Sequence, residues 1–323
     1  MRYYYCSKTY DAQHKFTFEH DRPSEQTHQF GSLFVCTSDS GAFRQNAFFF
    51  DFQNASTFWI LGGTGIVLDG GGTLDGTGQA WWDAFPSNST LQRPIILTVF
   101  EGTDVTVRNI NEVNSPFWFN LVYGSKGVTY DNLHINAVST SQSFIANTDG
   151  WDIYRSDSVV VKNSVINNGD DCVSFKPNAT NILVSNLHCN GSHGISVGSL
   201  GQYPGMLDIV ENVTSTNIQI SNARNGARIK AWAGPNVGSG IVKNITFDGF
   251  VETSVDNPII IDQCYETDAA ECAQFPSNTY IQDVWFTNIT GTSSGSEKSV
   301  VASLSCSPDG RCSDINLNNI DLS

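Results

Sequence analysis

Val159-Val160-Val161-Lys162-Asn163-Ser164 is one copy of a short pattern that recurs along the chain. Val105-Thr106-Val107-Arg108-Asn109-Ile110, Val128-Thr129-Tyr130-Asp131-Asn132-Leu133 and Ile182-Leu183-Val184-Ser185-Asn186-Leu187 repeat it, and Ile218-Gln219-Ile220 after Asn217 continues it. Residues 242–247 around Asn244 and 284–289 around Asn288 read as looser, later copies. From Asn109 to Asn217 the asparagines step by 23, 31, 23 and 31 residues. A period in the twenties to low thirties, with β-branched alternation and no helical pattern, describes stacked coils. Leucine-rich repeats need a leucine pattern that is absent, and propeller blades need a Trp-Asp signature every roughly 40–45 residues. The pattern therefore predicts an all-β, single-domain, right-handed parallel β-helix over residues 31–323, preceded by an irregular segment, 1–30. An Asn recurring at one turn predicts a ladder of side-chain amides bonded from coil to coil, a structural role.

Composition agrees with an all-β chain. Of 323 residues, 40% are hydrophobic and only 15% charged, against about 25% charged in an average soluble protein. The 28 glycines supply turns. The densest run, residues 62–78, reads as strand-linking turns; no Gly-Lys-Ser/Thr follows, so it is not a phosphate-binding loop. A net charge of −15, with 17 Lys and Arg and no basic run, argues against nucleic-acid partners. No apolar run of 18 residues occurs, so no membrane helix is expected. Eight cysteines lack Cys-x-x-Cys spacing, and Cys172 with Cys189, Cys264 with Cys272 and Cys306 with Cys312 lie near one another in sequence. Disulfides are expected rather than a metal site. Together with seven N-x-S/T sequons, at Asn54, Asn88, Asn178, Asn190, Asn212, Asn244 and Asn288, they predict a secreted, extracellular protein, although residues 1–30 hold no apolar leader.

Four polar clusters stand out from this background: Asn147-Thr148-Asp149-Gly150, Gly169-Asp170-Asp171-Cys172, Ser192-His193-Gly194 and Arg228-Ile229-Lys230. Asp149 to Asp171 is 22 residues, and Asp171 to His193 is 22 more. If 22 residues make a coil, these groups lie above one another on one face, with Arg228 and Lys230 an enlarged coil later. Each aspartate alone suits a turn. Together they crowd negative charge, which raises at least one pKa and keeps a general acid protonated beside an ionised base. Calcium is an alternative occupant of three carboxylates, but His193 is a poor ligand for it and Arg228 and Lys230 oppose it. No metal or other cofactor is expected.

These motifs, in this order and spacing, resemble the polygalacturonases of glycoside hydrolase family 28. Residues 189–201 and 228–232 are more similar to the fungal exo-acting members than to the endo-acting ones. The resemblance implies a pectin-lyase-like solenoid acting on polygalacturonate from the non-reducing end, with inversion. It implies Asp170 as the general acid, Asp149 and Asp171 as holders and activators of the attacking water, and His193 as the residue tuning the proton of Asp170. It further implies a separation of about 6.5–9.5 Å between the inverting carboxyl groups. Asn147, Gly194, Arg228, Lys230 and Tyr265 become substrate-binding residues: Gly194 by letting the backbone approach the sugar, Arg228 and Lys230 by pairing with uronate carboxylates. Trp81 and Trp82 serve either as sugar platforms or as core. The family's early coil has no recognisable counterpart in residues 1–30. The partner is an acidic polysaccharide and the chain a monomer. Alternatives are an endo-acting enzyme, a hydrolase of xylogalacturonan or rhamnogalacturonan, a calcium-dependent pectate lyase, and an inactive pectin-binding solenoid.

Overall fold

The computed structural model describes the backbone of residues 26–29 and 33–35 and the whole of residues 47–323. Cys6, Cys36 and most of the segment 1–30 lie outside the described residues; within that segment Gln26–Gln29 is a strand paired in parallel with Thr64–Asp69.

The chain winds as a right-handed parallel β-helix with three faces. The first face stacks Ser56–Leu61, Pro94–Phe100, Asn120–Tyr123, Trp151–Tyr154, Val173–Phe175 and Ile195–Leu200. It continues through the C-terminal parts of Leu207–Trp232 and Ser239–Tyr265 to Ala302–Ser305. The Val-x-Val repeats form the second face, and the segments after each repeated Asn form the third. Alternation sends one set of side chains inward: Val107, Tyr130, Val161, Val184, Ser215, Phe247 and Phe286 are in register through successive coils. All are buried, and the rings of Phe247 and Phe286 stack with centroids 5.2 Å apart.

Each repeated Asn turns a corner. Asn109, Asn132, Asn163, Asn186 and Asn217 have φ between 55° and 59°, the left-handed region that Asn tolerates best among residues with a Cβ. Their amides form the expected ladder: Asn132 donates to Asn109 at 2.8 Å, Asn186 to Asn163 at 3.0 Å and Asn217 to Asn186 at 2.5 Å. Asn163 instead donates to Asp131, at 2.7 Å. Asn244 does not belong to this column. It registers with Asn212 rather than Asn217, and Asn181, Asn212 and Asn244 form a second ladder at another corner. Gly249 occupies the place that follows Asn217.

The three expected cysteine pairs are disulfides, Cys172–Cys189, Cys264–Cys272 and Cys306–Cys312. The first runs inside the helix and ties the turn carrying Asp171 to the strand Ala179–Asn190. Trp81 and Trp82 belong to the short helix Gln79–Ala84 and are 2% and 1% exposed; they are core, and neither is a sugar platform. No helix among the described residues is long and apolar enough to cross a membrane.

A buried carboxylate interrupts the apolar interior. Glu112 points into the helix, where Asn120 Nδ2 donates to its carboxylate at 2.6 Å. Burial outweighs that bond and pushes Glu112 from 4.5 up to about 8. Folded Glu112 thus holds its proton across a range where the unfolded chain has released it. The contribution is neutral below about pH 4.5 and turns against folding as pH rises toward about 8, by roughly 1.4 kcal/mol per pH unit. Glu252, buried and pushed up by desolvation, acts in the same direction. The unfolding free energy from urea titrations should fall between pH 5 and 8, and Glu112→Gln should flatten that fall relative to the parent.

Candidate active site

The four polar clusters are brought together. Each of the first three is the turn that feeds a strand of the first face: Asn147–Gly150 leads into Trp151–Tyr154, Gly169–Cys172 into Val173–Phe175, and Ser192–Gly194 into Ile195–Leu200. Because Trp151, Val173 and Ile195 are paired in register, Asp149, Asp171 and His193 occupy equivalent places in successive coils. Backbone bonds lock the turns to one another: Gly150 N–H donates to Asp171 O at 2.9 Å, His193 N–H to Asp170 O at 2.8 Å and Cys172 N–H to Gly194 O at 2.8 Å. Arg228 and Lys230 follow in the next coil, where Arg228 pairs with Ser196.

The stacking of the coils makes its own demand on Gly194. Its φ is +87°, and a Cβ there would stand 2.2 Å from Gly226 O and 2.3 Å from Asn225 O. A side chain at 194 would push the next coil away, so glycine here is a condition of stacking the site.

The carboxylates differ sharply in surroundings. Asp170 accepts from His193 Nδ1 at 3.0 Å, Asn147 Nδ2 at 3.2 Å and Asp171 N–H at 2.8 Å. Burial alone would raise its pKa, but the His193 hydrogen bond, the imidazolium charge and Lys230 hold it below the usual carboxylate range. Asp171 is fully enclosed; Ser196 Oγ donates at 2.7 Å and Lys230 Nζ at 2.6 Å. There too burial is overcome, chiefly by Lys230, and the group stays ionised. Asp149 has no such support. Burial, then the charges of Asp152 and Asp170, push it well above the ordinary value, and its Oδ1 is buried without a partner. Of the carboxylates beside the cleft, Asp149 is thus the one driven toward its protonated form and Asp170 the one held as an anion. Asp170, Asp171 and His193 also have atoms close enough to surround a cation, but the lysine at Asp171 and the imidazole on Asp170 take the places a hard cation would need.

A cavity of about 550 Å³ opens above these groups, lined by Asn147, Asp149, Asp170, Lys230 and Tyr265 together with Phe117, Trp118, Lys176, Ser199 and Trp232. Its walls come from outside the coil repeat: Asp51, Gln53 and Asn54 on one side, Gln202 and Tyr203 on another. Tyr265 lies under both cations, with Arg228 5.2 Å and Lys230 5.3 Å from its ring centre.

Three charged residues of the site escaped the sequence reading. Asp152 is buried three residues past Asp149 and pairs with the buried Lys176 at 3.0 Å. The strand parity of Asp152, Ser174 and Ser196 marks that row as outward, which was a usable signal. Arg93 carried none, being 54 residues before Asn147. Its guanidinium is stacked 3.7 Å over Phe85 and donates to Pro116 O, Ala146 O and Asn147 Oδ1, the last at 2.6 Å. An arginine only donates, so Arg93 fixes Asn147 with its oxygen inward and its NH₂ toward Asp170.

Comparison with known proteins agrees with this architecture. Residues 47–323 match the model of glycosyl hydrolases family 28. An exopolygalacturonase of Cochliobolus carbonum is 48% identical over 297 residues, covering 88% of this chain and 67% of that protein. A probable exopolygalacturonase B of Aspergillus terreus is 46% identical, covering 88% and 68%. The crystal structure of an endo-xylogalacturonan hydrolase from Aspergillus tubingensis superposes with a TM-score of 0.79 at 32% identity, covering 91% of this chain and 78% of that one. The chain belongs to family 28 of the glycosyl hydrolases.

The Arg93–Asn147–Asp170 chain of bonds gives a test. Arg93→Met frees the Asn147 amide to turn and removes a donor from ionised Asp170, so the Asp170 pKa should rise. Hydrolytic kcat/KM should drop by roughly 10²-fold, as small misplacements in a cleft do. The alkaline limb of its pH profile, set by the proton on the acid, should move to higher pH, and Arg93→Lys should restore part of both.

Proposed function

We propose that this protein is an exo-acting hydrolase of α-1,4-linked polygalacturonate that removes galacturonic acid from the non-reducing end with inversion. The observation that carries this reading is the cleft itself. It sets acids of opposite proton affinity, Asp149 and Asp170, beside buried cations suited to an anionic sugar. The exopolygalacturonases at 45–48% identity support the exo mode and the polymer, ahead of the endo-xylogalacturonan hydrolase at 32%.

In this reading Asp170 protonates the leaving glycosidic oxygen, and its proton is shared with His193 across their 3.0 Å contact. Asp149 and Asp171 hold the attacking water: Asp149 from the cavity wall, Asp171 as a fixed anion behind it. These roles need a proton on the Asp170–His193 pair and an ionised Asp149, an acid and a base on opposite sides of the bond. Asn147, Arg228, Lys230 and Tyr265 bind the sugar, with Arg228 and Lys230 facing its carboxylate. Lys230 must then share its ammonium between Asp171 and substrate. The protein works as a secreted monomer with no metal or cofactor, its catalytic domain being the β-helix of residues 31–323. Three disulfides and six exposed sequon asparagines, Asn54, Asn88, Asn190, Asn212, Asn244 and Asn288, support an oxidising, extracellular setting.

Oligogalacturonides labelled at the reducing end decide the mode. Monomer alone should be released from the unlabelled end. Early mid-length fragments would make the enzyme endo-acting, and EDTA-sensitive formation of ultraviolet-absorbing unsaturated ends would make it a lyase. Asp170→Asn should retain the parent's Tm and lose more than about 95% of turnover, since an amide cannot serve as the acid. Residual activity well above that level would remove Asp170 from the role.

A further inference from the structure

Lys176 is a buried cation that the roles above leave unused. It follows Phe175, as Gly198 follows Val197 and Lys230 follows Ile229. Phe175, Val197 and Ile229 are paired in register and point into the core. Alternation along a strand therefore puts Lys176, Gly198 and Lys230 in one outward row across three coils, two ammonium groups with a residue lacking a side chain between them. Lys176 is 6% exposed, and what remains uncovered lines the cavity above Asp149 and Asp170.

An ammonium carries three N–H donors. Asp152, at 3.0 Å, is the one ion-pair partner of the Lys176 ammonium among the described residues. The Trp118 ring lies 5.2 Å from the nitrogen and offers only its π-face. Burial opposes a charge at Lys176, but Asp152, Asp149 and Asp171 keep it firmly cationic. A purely structural pair would be expected to have its remaining donors met by backbone or side-chain oxygens. At Lys176 they remain available on the cavity side. The complement of that arrangement is an anionic oxygen pair arriving from the cavity.

We propose that Lys176 is a substrate-binding residue which, with Lys230 two coils away, seats the carboxylate of a galacturonic acid unit in the cleft. The assignment rests on the polygalacturonate reading above and adds a third cation to Arg228 and Lys230. It also gives Asp152 a purpose. Asp152 holds the long Lys176 side chain in a single geometry, so that little rotamer freedom is lost when the sugar arrives.

The test measures calorimetric Kd for galacturonate, and KM and kcat on labelled trigalacturonate, in the parent, Lys176→Met and the double variant Asp152→Asn/Lys176→Met. Lys176→Met strands Asp152 as an unpaired buried charge and risks misfolding. The double variant removes both charges, and such a replacement is commonly tolerated. Both variants should weaken galacturonate binding at least tenfold, and the loss in kcat/KM should be carried mainly by KM. Lys176→Arg, which keeps the cation and its pair, should retain more affinity than Lys176→Met. A double variant that folds with the parent's Tm and binds galacturonate as tightly as the parent would overturn the assignment of Lys176. A parent that releases no galacturonate at all would overturn the functional reading instead.

Discussion

Coil-to-coil register is the constraint on which everything else in this molecule depends. Parallel strands slipped by one residue exchange their inward and outward faces. A slip anywhere between Asp149 and Lys230 would therefore turn part of the cleft into the core. Two devices hold the register. The asparagine corners adopt the left-handed conformation at one fixed place in each coil, and their amides bond upward and downward to the next. Each such bond contributes only about 1 kcal/mol, but a slipped coil loses its whole set at once. Inside, the Cys172–Cys189 bridge joins the turn of Asp171 to the strand on the far face. The turns of the site are thus tied from behind and stacked from the side, which lets three buried carboxylates, Asp149, Asp152 and Asp171, stand with the half-buried Asp170 in a fold that gains nothing from their proximity.

Their coexistence is an electrostatic problem with a local answer for each. Lys230 neutralises Asp171, Lys176 neutralises Asp152, and His193 with Asn147 satisfies Asp170. Asp149 receives no donor, and burial with the neighbouring carboxylates raises its affinity for a proton. The asymmetry between Asp149 and Asp170 is therefore built by their neighbours, since the side chains are chemically identical.

The repeat and the four polar clusters were legible in the sequence because each carries its own redundancy. A coil period appears many times over, and Asp149, Asp171 and His193 repeat that period. Single residues without a repeat were not legible. Arg93 acts at the site only because its long side chain reaches Asn147 from two coils earlier, and no local pattern announces it. Lys176 and Asp152 sit within a few residues of the motifs, yet their pairing depends on outward parity in two neighbouring strands. Asn244 was assigned to the wrong column because every corner of this solenoid favours asparagine and the coils differ in length. Composition alone cannot say which corner an Asn belongs to. Trp81 and Trp82 carry an aromatic pattern equally suited to core and to sugar stacking, and burial decides for core.

The same distinction separates chemistry from product pattern. The acid, base and cation set lies on strands and turns whose positions the coil fixes within narrow limits. The walls of the cleft do not. Asp51, Gln53 and Asn54 come from a short turn outside the repeat, and Gln202 and Tyr203 from the loop between Ile195–Leu200 and Leu207–Trp232. A polymer threading through the cleft must pass these walls, whereas a chain end need only enter between them. Exchanging the loop before Leu207, with the coil left untouched, would reshape these walls while the carboxylates and cations keep their register.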